Sequence, residues 1–289
     1  MDAAPSLDLS NLTSEAYWRA TFPDLSIGGL PASWSAADAP PPSAELNAAR
    51  MAEDGYLEGR SDALLTLAPR LAEGVRKLKA LGLPPAFLFV FDEAWAAFAA
   101  LAPALRPFLP ELRILPDFWV WHVDPAAGEA GWDPHVDKGA YALDREGRPL
   151  SLTAWIPLTA ATPLNGCIHI VPASRDPQYG AGIPERTRPF LLPDVRALPV
   201  DPGEYLVWNQ AVLHWGGASS RFAEAPRISM ALEFQRGDIA PFNQPLIDPS
   251  ADLPFGRRLW LIGKQIVQYQ HMYPLAPEME RLARALGRL

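Results

Sequence analysis

One stretch of the sequence opens with Trp132-Asp133-Pro134-His135-Val136-Asp137 and closes with Leu213-His214-Trp215, and the rest of the chain is organised around it. His135 and Asp137 are two residues apart, and alternate residues of an extended strand point to the same side. A short strand over 135–137 would therefore present an imidazole and a carboxylate to one place. The chain between Asp137 and His214 is long enough to pass around a small sheet and return. Two His and one carboxylate are the donor set of a mononuclear non-haem iron(II) centre, which leaves further metal positions open.

Composition restricts the classes of protein to consider. The chain has 289 residues, of which 49% are hydrophobic and 20% charged, so it can bury a substantial core. A net charge of −8 argues against a protein that binds nucleic acid through a basic face. No apolar run is long enough for a membrane span, and no signal peptide is recognisable at the N-terminus. Cys167 is the single cysteine, which excludes internal disulfides and cysteine zinc clusters. We expect a cytoplasmic protein.

Helical patterns dominate residues 1–111. We predict helices over 14–22, with Thr13 as N-cap, and from Ser43 to Gly55, separated by an irregular connection over 30–42. Further helices are predicted over 62–81, where Leu recurs at helical spacing, and over 93–108, with an interruption near Pro103. Residues 86–91 form an apolar run that predicts a short strand, and Tyr56-Leu57 is predicted to be extended.

The pattern changes to β-branched and aromatic runs between residues 112 and 240. Eight short strands are predicted, over 118–123, 135–137, 151–157, 167–171, 196–200, 205–209, 212–215 and 228–235. This spacing is typical of a double-stranded β-helix, a jelly roll of the cupin type, whose mouth suits a small ligand. Residues 241–289 return to helical patterns. We therefore predict a mainly β (α+β) protein of one domain, with a helical section over 1–111, a jelly-roll core over 112–240 and C-terminal helices over 241–289.

A second His-x-Asp motif competes for the metal position. His122 and Asp124 end the strand that contains Trp119 and Trp121, and their spacing to His214 is equally compatible with a shared site. From the spacing alone, both pairs remain candidates.

The order of motifs resembles that of the phytanoyl-CoA dioxygenase family of iron(II)/2-oxoglutarate oxygenases. The resemblance covers residues 118–236. The matching segments are, in order, Val123 to Tyr141, Leu152-Thr153-Ala154-Trp155-Ile156-Pro157-Leu158, Asn165-Gly166-Cys167-Ile168-His169-Ile170-Val171-Pro172-Ala173-Ser174 and Pro202-Gly203-Glu204-Tyr205 to His214. Glu53-Asp54-Gly55-Tyr56 is a candidate for a further match near the N-terminus. Three positions depart from the family pattern: Ala173 replaces the usual Gly, Arg175 stands where His is common, and Arg227 lies farther beyond the distal His than is usual. The resemblance selects His135, Asp137 and His214 as the ligands of Fe(II), with 2-oxoglutarate as co-substrate and O2 as oxidant.

Arg227 and Ser229 share one face of the last predicted strand. A guanidinium can bind a carboxylate through two parallel hydrogen bonds, and the neighbouring hydroxyl adds a third. This suits the far carboxylate of 2-oxoglutarate; a surface salt bridge is the alternative, with Arg221 as the competing arginine. Thr153 and Trp155 share a face and are candidates for contacting the co-substrate, although core packing accounts for them as well.

Weaker candidates concern the substrate. Trp121 and other tryptophans near the motifs could form a wall of the substrate site, or simply pack in the core. His122 is expected at the mouth of the barrel, and Arg175 is a candidate for binding a substrate anion. The family resemblance implies hydroxylation of a small molecule, since related halogenases lack a carboxylate at the position of Asp137, although desaturation and ring formation use the same ligands. Two alternatives remain open: a non-catalytic barrel that binds a small molecule, and a cupin-type metalloenzyme that does not use 2-oxoglutarate. Neither the substrate nor the oligomeric state follows from the sequence.

Overall fold

A computed structural model describes residues 9–28, 44–181, 189–272 and 275–288 of the chain. The predicted connection over 30–42 and the predicted helix start at Ser43 lie outside these residues. The described helices are α1 (Glu15–Thr21), α2 (Ala44–Asp54), α3 (Asp62–Ala80), α4 (Asp92–Ala99), α5 (Ala102–Leu105), α6 (Phe255–Gln268) and α7 (Pro277–Leu286). The described strands are β1 (Tyr56–Arg60), β2 (Arg113–Val123), β3 (Ser151–Pro157), β4 (Ile168–Val171), β5 (Arg196–Leu198), β6 (Glu204–Asn209), β7 (Leu213–Gly216) and β8 (Arg227–Gln235).

The strands form two antiparallel sheets. One has five strands in the order β1-β6-β3-β8-β2, and the other has three in the order β5-β4-β7. Between them lies an apolar cluster that includes Trp155, Trp208 and Ile170. This is the jelly-roll architecture expected from the sequence, an α+β fold with a double-stranded β-helix at its centre.

The central strands of the larger sheet are buried on both faces. Every residue of β3 and β8 is buried. Side chains alternate along a strand, so Thr153 and Trp155 of β3 face the interior of the barrel. Leu152 and Ile156 of the same strand instead join the core beneath the helices. The larger sheet thus separates the interior of the barrel from the helical layer.

The helical layer packs on the outer face of this sheet. Leu67, Leu71 and Leu78 of α3 recur at helical spacing and are completely or almost completely buried, as the sequence pattern predicts. A buried ion pair joins the C-terminal helices to the N-terminal section, because Arg258 Nη2 of α6 lies 2.5 Å from Asp92 Oδ1 of α4. No described helix is both long enough and apolar enough to cross a membrane.

Several predicted elements need correction. The run over 86–91 is part of a 3₁₀ helix, Pro85–Val90, rather than a strand; a short apolar run buried on all sides does not reveal its period. The N-cap of α1 is Ser14, whose Oγ accepts a hydrogen bond from Tyr17 N, rather than Thr13. The extended residues at Tyr56 belong to β1, which pairs with β6 at the edge of the larger sheet. The section over 1–111 therefore contributes a strand to the jelly roll as well as helices.

Candidate metal centre

Three side chains meet inside the barrel. His135, Asp137 and His214 each place one ligand atom within 4.8 Å of the other two. Oδ1 of Asp137 lies 3.5 Å from His135 Nε2 and 3.6 Å from His214 Nε2. Among the residues described, this is the one group of three or more His, Cys, Asp or Glu side chains close enough to share a metal ion.

The segment that carries His135 is fixed by pairing with β7. His135 N donates to His214 O at 3.0 Å, and His214 N donates to His135 O at 2.9 Å. The predicted strand over 135–137 is wrong in extent, because the segment forms only this single antiparallel bridge. Pro134, which has no N–H, precedes the bridge, and the backbone after Asp137 turns away so that the N–H groups of Lys138 and Gly139 both donate to Gln210 O. The expectation that His135 and Asp137 face one place nevertheless agrees with the geometry.

Backbone carbonyls orient both imidazoles. His135 Nδ1 lies 2.7 Å from Asp133 O, and His214 Nδ1 lies 3.1 Å from Val212 O. With Nδ1 as the donor in each ring, the lone pair of each Nε2 is directed toward Asp137. Carbonyl acceptors of this kind fix the tautomer of metal-binding histidines.

The second oxygen of Asp137 is held by two donors. Thr153 Oγ1 donates to Asp137 Oδ2 at 2.7 Å, and Trp208 Nε1 donates to the same atom at 3.2 Å. Gln210 Nε2 in turn donates to Thr153 Oγ1 at 3.0 Å. These contacts occupy Oδ2 and leave Oδ1 facing the two histidines.

The electrostatics favour the metal-binding protonation states. Burial opposes a charge on Asp137, but the imidazoles of His214 and His135 and the ammonium of Lys138 hold the pKa of the Asp137 carboxyl below its usual range. Burial lowers the pKa of His214 to about 4, although the Asp137 carboxylate opposes this shift. At neutral pH an ionised carboxylate and a neutral imidazole are therefore present, which are the forms that coordinate metals.

Arg227 is a buried cation in the same cavity. Its Nη1 donates to Ser229 Oγ at 2.5 Å, and its guanidinium carbon lies 5.7 Å from the centre of the Trp155 ring. Its Nε has no hydrogen-bond partner, and no carboxylate pairs with it among the described residues. Burial lowers the pKa of Arg227 to about 10, opposed by Cys167, so the guanidinium remains charged at neutral pH. A buried charge without a counter-charge is costly, so this position suits an anionic ligand.

The cavity has a volume of about 450 Å³. Its walls are mainly aromatic and include the three candidate ligands together with Trp119, Trp121, Trp132, Thr153, Trp155, Trp208 and Arg227. The two imidazoles, one carboxylate and open space beside them fit a divalent metal that keeps free coordination positions.

The remaining candidates lie elsewhere. His122 does not line this cavity; its Nδ1 is 2.9 Å from Lys79 Nζ. Asp124 accepts a hydrogen bond from Ala126 N at the start of a short 3₁₀ turn. Arg175 lies in a separate surface cleft with Ser174 and Phe190. His122 and Asp124 are therefore not part of the group formed by His135, Asp137 and His214.

Sequence reasoning assigns Thr153 to the co-substrate and Trp208 to a substrate wall rather than to the support of Asp137, and it gives no role to Gln210 or Trp132. Trp208 and Gln210 come together with Thr153 only because β6 pairs with β3. Trp132 stands at the start of the quoted motif, and its ring centre is 5.7 Å from that of His135. The adjacency of Trp132 to the motif was a usable signal, whereas the role of Gln210 depends on how the chain crosses itself.

Comparison with known proteins finds similarity over the region that contains these three side chains. A family model described as Phytanoyl-CoA dioxygenase (PhyH) matches residues 89–224. Among solved structures, EctD from S. alaskensis with 2-oxoglutarate and 5-hydroxyectoine is 17% identical, with a TM-score of 0.51 over 75% of this chain and 90% of that chain. The non-heme monooxygenase ThoJ in complex with Ni is 19% identical, with a TM-score of 0.52 over 72% of this chain and 87% of that chain. The epimerase SnoN from nogalamycin biosynthesis is 23% identical, with a TM-score of 0.44 over 73% of this chain and 92% of that chain.

At these identities the two matches above a TM-score of 0.5 concern the fold, and they agree with the jelly roll described above. The matched family segment contains His135, Asp137 and His214 as well as the strands that hold them. Residues 89–224 of this chain are therefore similar to the phytanoyl-CoA dioxygenase family, and this similar segment holds all three candidate ligands.

Proposed function

We propose that this protein is an iron(II)/2-oxoglutarate-dependent dioxygenase that hydroxylates a small molecule. The observation that carries the proposal is the presence, in one cavity, of two imidazoles and a carboxylate beside a buried arginine that has no carboxylate partner among the described residues. The first group suits the metal, and the second suits an anionic co-substrate. A metal site without a co-substrate would not need the second group.

The protein ligands of the metal are His135 Nε2, Asp137 Oδ1 and His214 Nε2. Three protein ligands on one side leave the other positions for small molecules. Thr153 and Trp208 keep the Asp137 carboxylate from rotating, because both donate to its other oxygen. The carbonyls of Asp133 and Val212 keep the imidazoles in the required tautomer.

Arg227 and Ser229 would bind the far carboxylate of 2-oxoglutarate. The guanidinium offers a fork of N–H donors that matches a carboxylate, and Ser229 Oγ, which it contacts, fixes its position. The complex of EctD, which is similar in fold, contains 2-oxoglutarate and 5-hydroxyectoine, and this makes 2-oxoglutarate the first co-substrate to test here.

When bound, iron(II) and 2-oxoglutarate supply the oxidative chemistry, in which the oxoacid is converted to succinate and CO2 while a substrate C–H bond is hydroxylated. The contribution of this chain is positioning and shielding. Trp119, Trp121 and Trp155 form apolar walls that keep water from the reacting groups.

The proposal is tested by calorimetric titration of 2-oxoglutarate into protein loaded with Mn(II), which binds such sites without starting the reaction. We expect Arg227→Met to weaken 2-oxoglutarate binding by about 100-fold or more and to leave Mn(II) binding intact, because only the anion loses its partner. Arg221→Met, which removes an exposed arginine outside the cavity, is the matched control. Ser229→Ala provides a milder change of the same contact.

Formation of succinate supplies the second readout. Loaded with Fe(II), the wild-type protein should convert 2-oxoglutarate slowly to succinate in the presence of O2 even without its substrate. A 2-oxoglutarate affinity unchanged in Arg227→Met would exclude this role for Arg227. Metal binding without any affinity for 2-oxoglutarate would favour a cupin-type metalloenzyme, and binding of neither would favour a non-catalytic barrel.

A further inference from the structure

A second, larger cavity adjoins the metal cavity. This groove is open to solvent, holds about 1510 Å³ of empty space including its mouth, and lies at the edge strand β2, between the 3₁₀ helix over Pro85–Val90 and the C-terminal helix α7. Its walls include Leu83, Pro84, Val120, Leu275 and Met279. Of the described residues that line it, none is assigned above to the metal or to the co-substrate.

Three tryptophans are shared by the two cavities. Trp119, Trp121 and Trp132 line both of them. The ring centre of Trp132 lies 5.6 Å from that of Trp119 and 5.5 Å from that of Trp121, and both contacts are nearly perpendicular. The ring centre of Trp132 also lies 5.7 Å from that of His135. Trp132 is therefore the wall between the groove and a proposed metal ligand.

The backbone fixes the position of Trp132. A Cβ atom at Gly131 would lie 2.5 Å from Gly216 Cα, so the two glycines allow the loop and β7 to approach as closely as they do. Gly131 N donates to Gly217 O at 3.3 Å. The ring of Trp132 is thus carried by a segment that is tied to the same strand as His214.

The groove has an almost uncharged lining. Of the described residues that line it, only His122 and Glu278 are ionisable, and none is Lys or Arg. Burial and the neighbouring Lys79 lower the pKa of His122, although Glu129 and Asp124 act in the opposite direction. Such a lining favours burial of the apolar surface of a ligand, and its described residues offer no Lys or Arg to pair with a phosphate or carboxylate.

We propose that the groove binds the substrate, that the substrate is a neutral and mainly apolar small molecule, and that Trp132 determines how far it extends toward the metal. The proposal rests on the proposed function and adds the class of substrate. It follows from the continuity of the two cavities through three shared tryptophans and from the absence of cationic side chains among the described lining residues.

A pair of fluorescent probes tests the chemistry of the groove. N-phenyl-1-naphthylamine is neutral, and 8-anilinonaphthalene-1-sulfonate is the same ring system with a negative charge. In protein loaded with Zn(II) and 2-oxoglutarate, we expect the neutral probe to bind about 10-fold more tightly, since the sulfonate would enter a lining without a counter-charge. Leu275→Asp should weaken the neutral probe by about 10-fold or more. Leu192→Asp, at a leucine exposed elsewhere, should have no effect.

Proton NMR of the bound neutral probe tests the role of Trp132. Mn(II) is paramagnetic and broadens the signals of nearby protons, whereas Zn(II) does not. We expect probe signals to broaden when Mn(II) replaces Zn(II), and to broaden further in Trp132→Ala, because the probe can then move closer to the metal. Trp132→Phe, which keeps an aromatic wall, should resemble the wild type.

Four results would overturn the proposal. They are equal or tighter binding of the sulfonated probe, insensitivity to Leu275→Asp, identical spectra with Mn(II) and Zn(II), and probe binding that appears only after removal of residues 1–8 or on dissociation of a dimer. The last result would mean that the groove is filled by the chain itself or by a second copy. Failure of the proposed function is distinguishable, since the protein would then bind no 2-oxoglutarate in the calorimetric titration, with or without Mn(II), whatever the probes do.

Discussion

Among individual side chains, Asp137 is oriented most completely for metal binding, because both of its oxygens have defined neighbours. One oxygen faces the two histidines, and the other accepts hydrogen bonds from Thr153 and Trp208. The motif spacing could predict that Asp137 lies near His135, because both belong to one short segment. It could not predict the contact with Trp208, which depends on the pairing of β3 with β6. The sequence predicts that Thr153 contacts the co-substrate, because it shares a face of its strand with Trp155. In the structure, its hydroxyl instead donates a hydrogen bond to Asp137.

Replacing Thr153 tests this support. We expect Thr153→Val, which keeps the shape and removes the donor, to lower the affinity for Mn(II) by about 10-fold, because a hydrogen bond that orients a ligand typically contributes that much. The affinity is measured by calorimetry. Thr66→Val, at an exposed position of α3, is the control. An unchanged affinity in Thr153→Val would show that Trp208 alone suffices to orient the carboxylate.

The single cysteine offers a second prediction for one residue. Cys167 is fully buried, and burial raises the pKa of its thiol to about 11. Because the thiolate is the reactive form, we expect no reaction with a thiol reagent such as Ellman's reagent in the native protein at pH 8 and complete reaction after unfolding in denaturant. Rapid reaction of the native protein would show that the barrel opens around β4.

Among the elements, the segment over 130–135 shows why prediction of the site was incomplete. The sequence predicts that it ends in a strand, yet it forms only two single bridges, from His135 to His214 of β7 and from Ala130 to Ala218 beyond the end of β7. The apolar run over 86–91 gave the opposite error, a strand in place of a 3₁₀ helix. Long periodic elements such as α3 were predictable, whereas short ones take their conformation from their neighbours.

Gly131 is the point at which this segment approaches β7 most closely. We expect Gly131→Ala to weaken Mn(II) binding by about 10-fold or more, because a Cβ atom 2.5 Å from Gly216 Cα must push His135 away from His214. Gly256→Ala is the control, since a Cβ atom there meets nothing within 4 Å. Metal affinity is measured by calorimetry and the fold by circular dichroism. Unchanged metal affinity in folded Gly131→Ala protein would contradict the proposed positioning of His135.

At the scale of the whole molecule, the sequence predicts the jelly roll correctly, but it does not predict correctly which segments form its strands. The sequence predicts eight strands, and the described residues contain eight, but β1 takes the place of the predicted strand over 135–137. The sequence predicts that Tyr56-Leu57 is extended, but it does not predict the pairing of this strand, because its partner β6 lies far along the chain. We propose that the sections over 1–111, 112–240 and 241–289 unfold as one unit.

The ion pair between Arg258 and Asp92 tests this unity. We expect Arg258→Met to lower the free energy of unfolding by about 3 kcal/mol, because it removes the cation that balances the charge of the buried Asp92 carboxylate. Arg281→Met, in an exposed pair with Glu278, should change it by less than about 1 kcal/mol. Urea unfolding should show one transition in all three proteins. Two separate transitions would contradict a single folding unit.

The central claim is that His135, Asp137 and His214 hold iron(II) while Arg227 holds 2-oxoglutarate beside it. Its most direct test is an anaerobic titration with Fe(II) and 2-oxoglutarate, observed through the visible metal-to-ligand charge-transfer band. We predict a band only when both are present, absent in His135→Ala, weakened in Arg227→Met and retained in His169→Ala, whose imidazole packs against Trp215. A folded, iron-loaded protein without the band, or a band that persists in His135→Ala, would contradict the account.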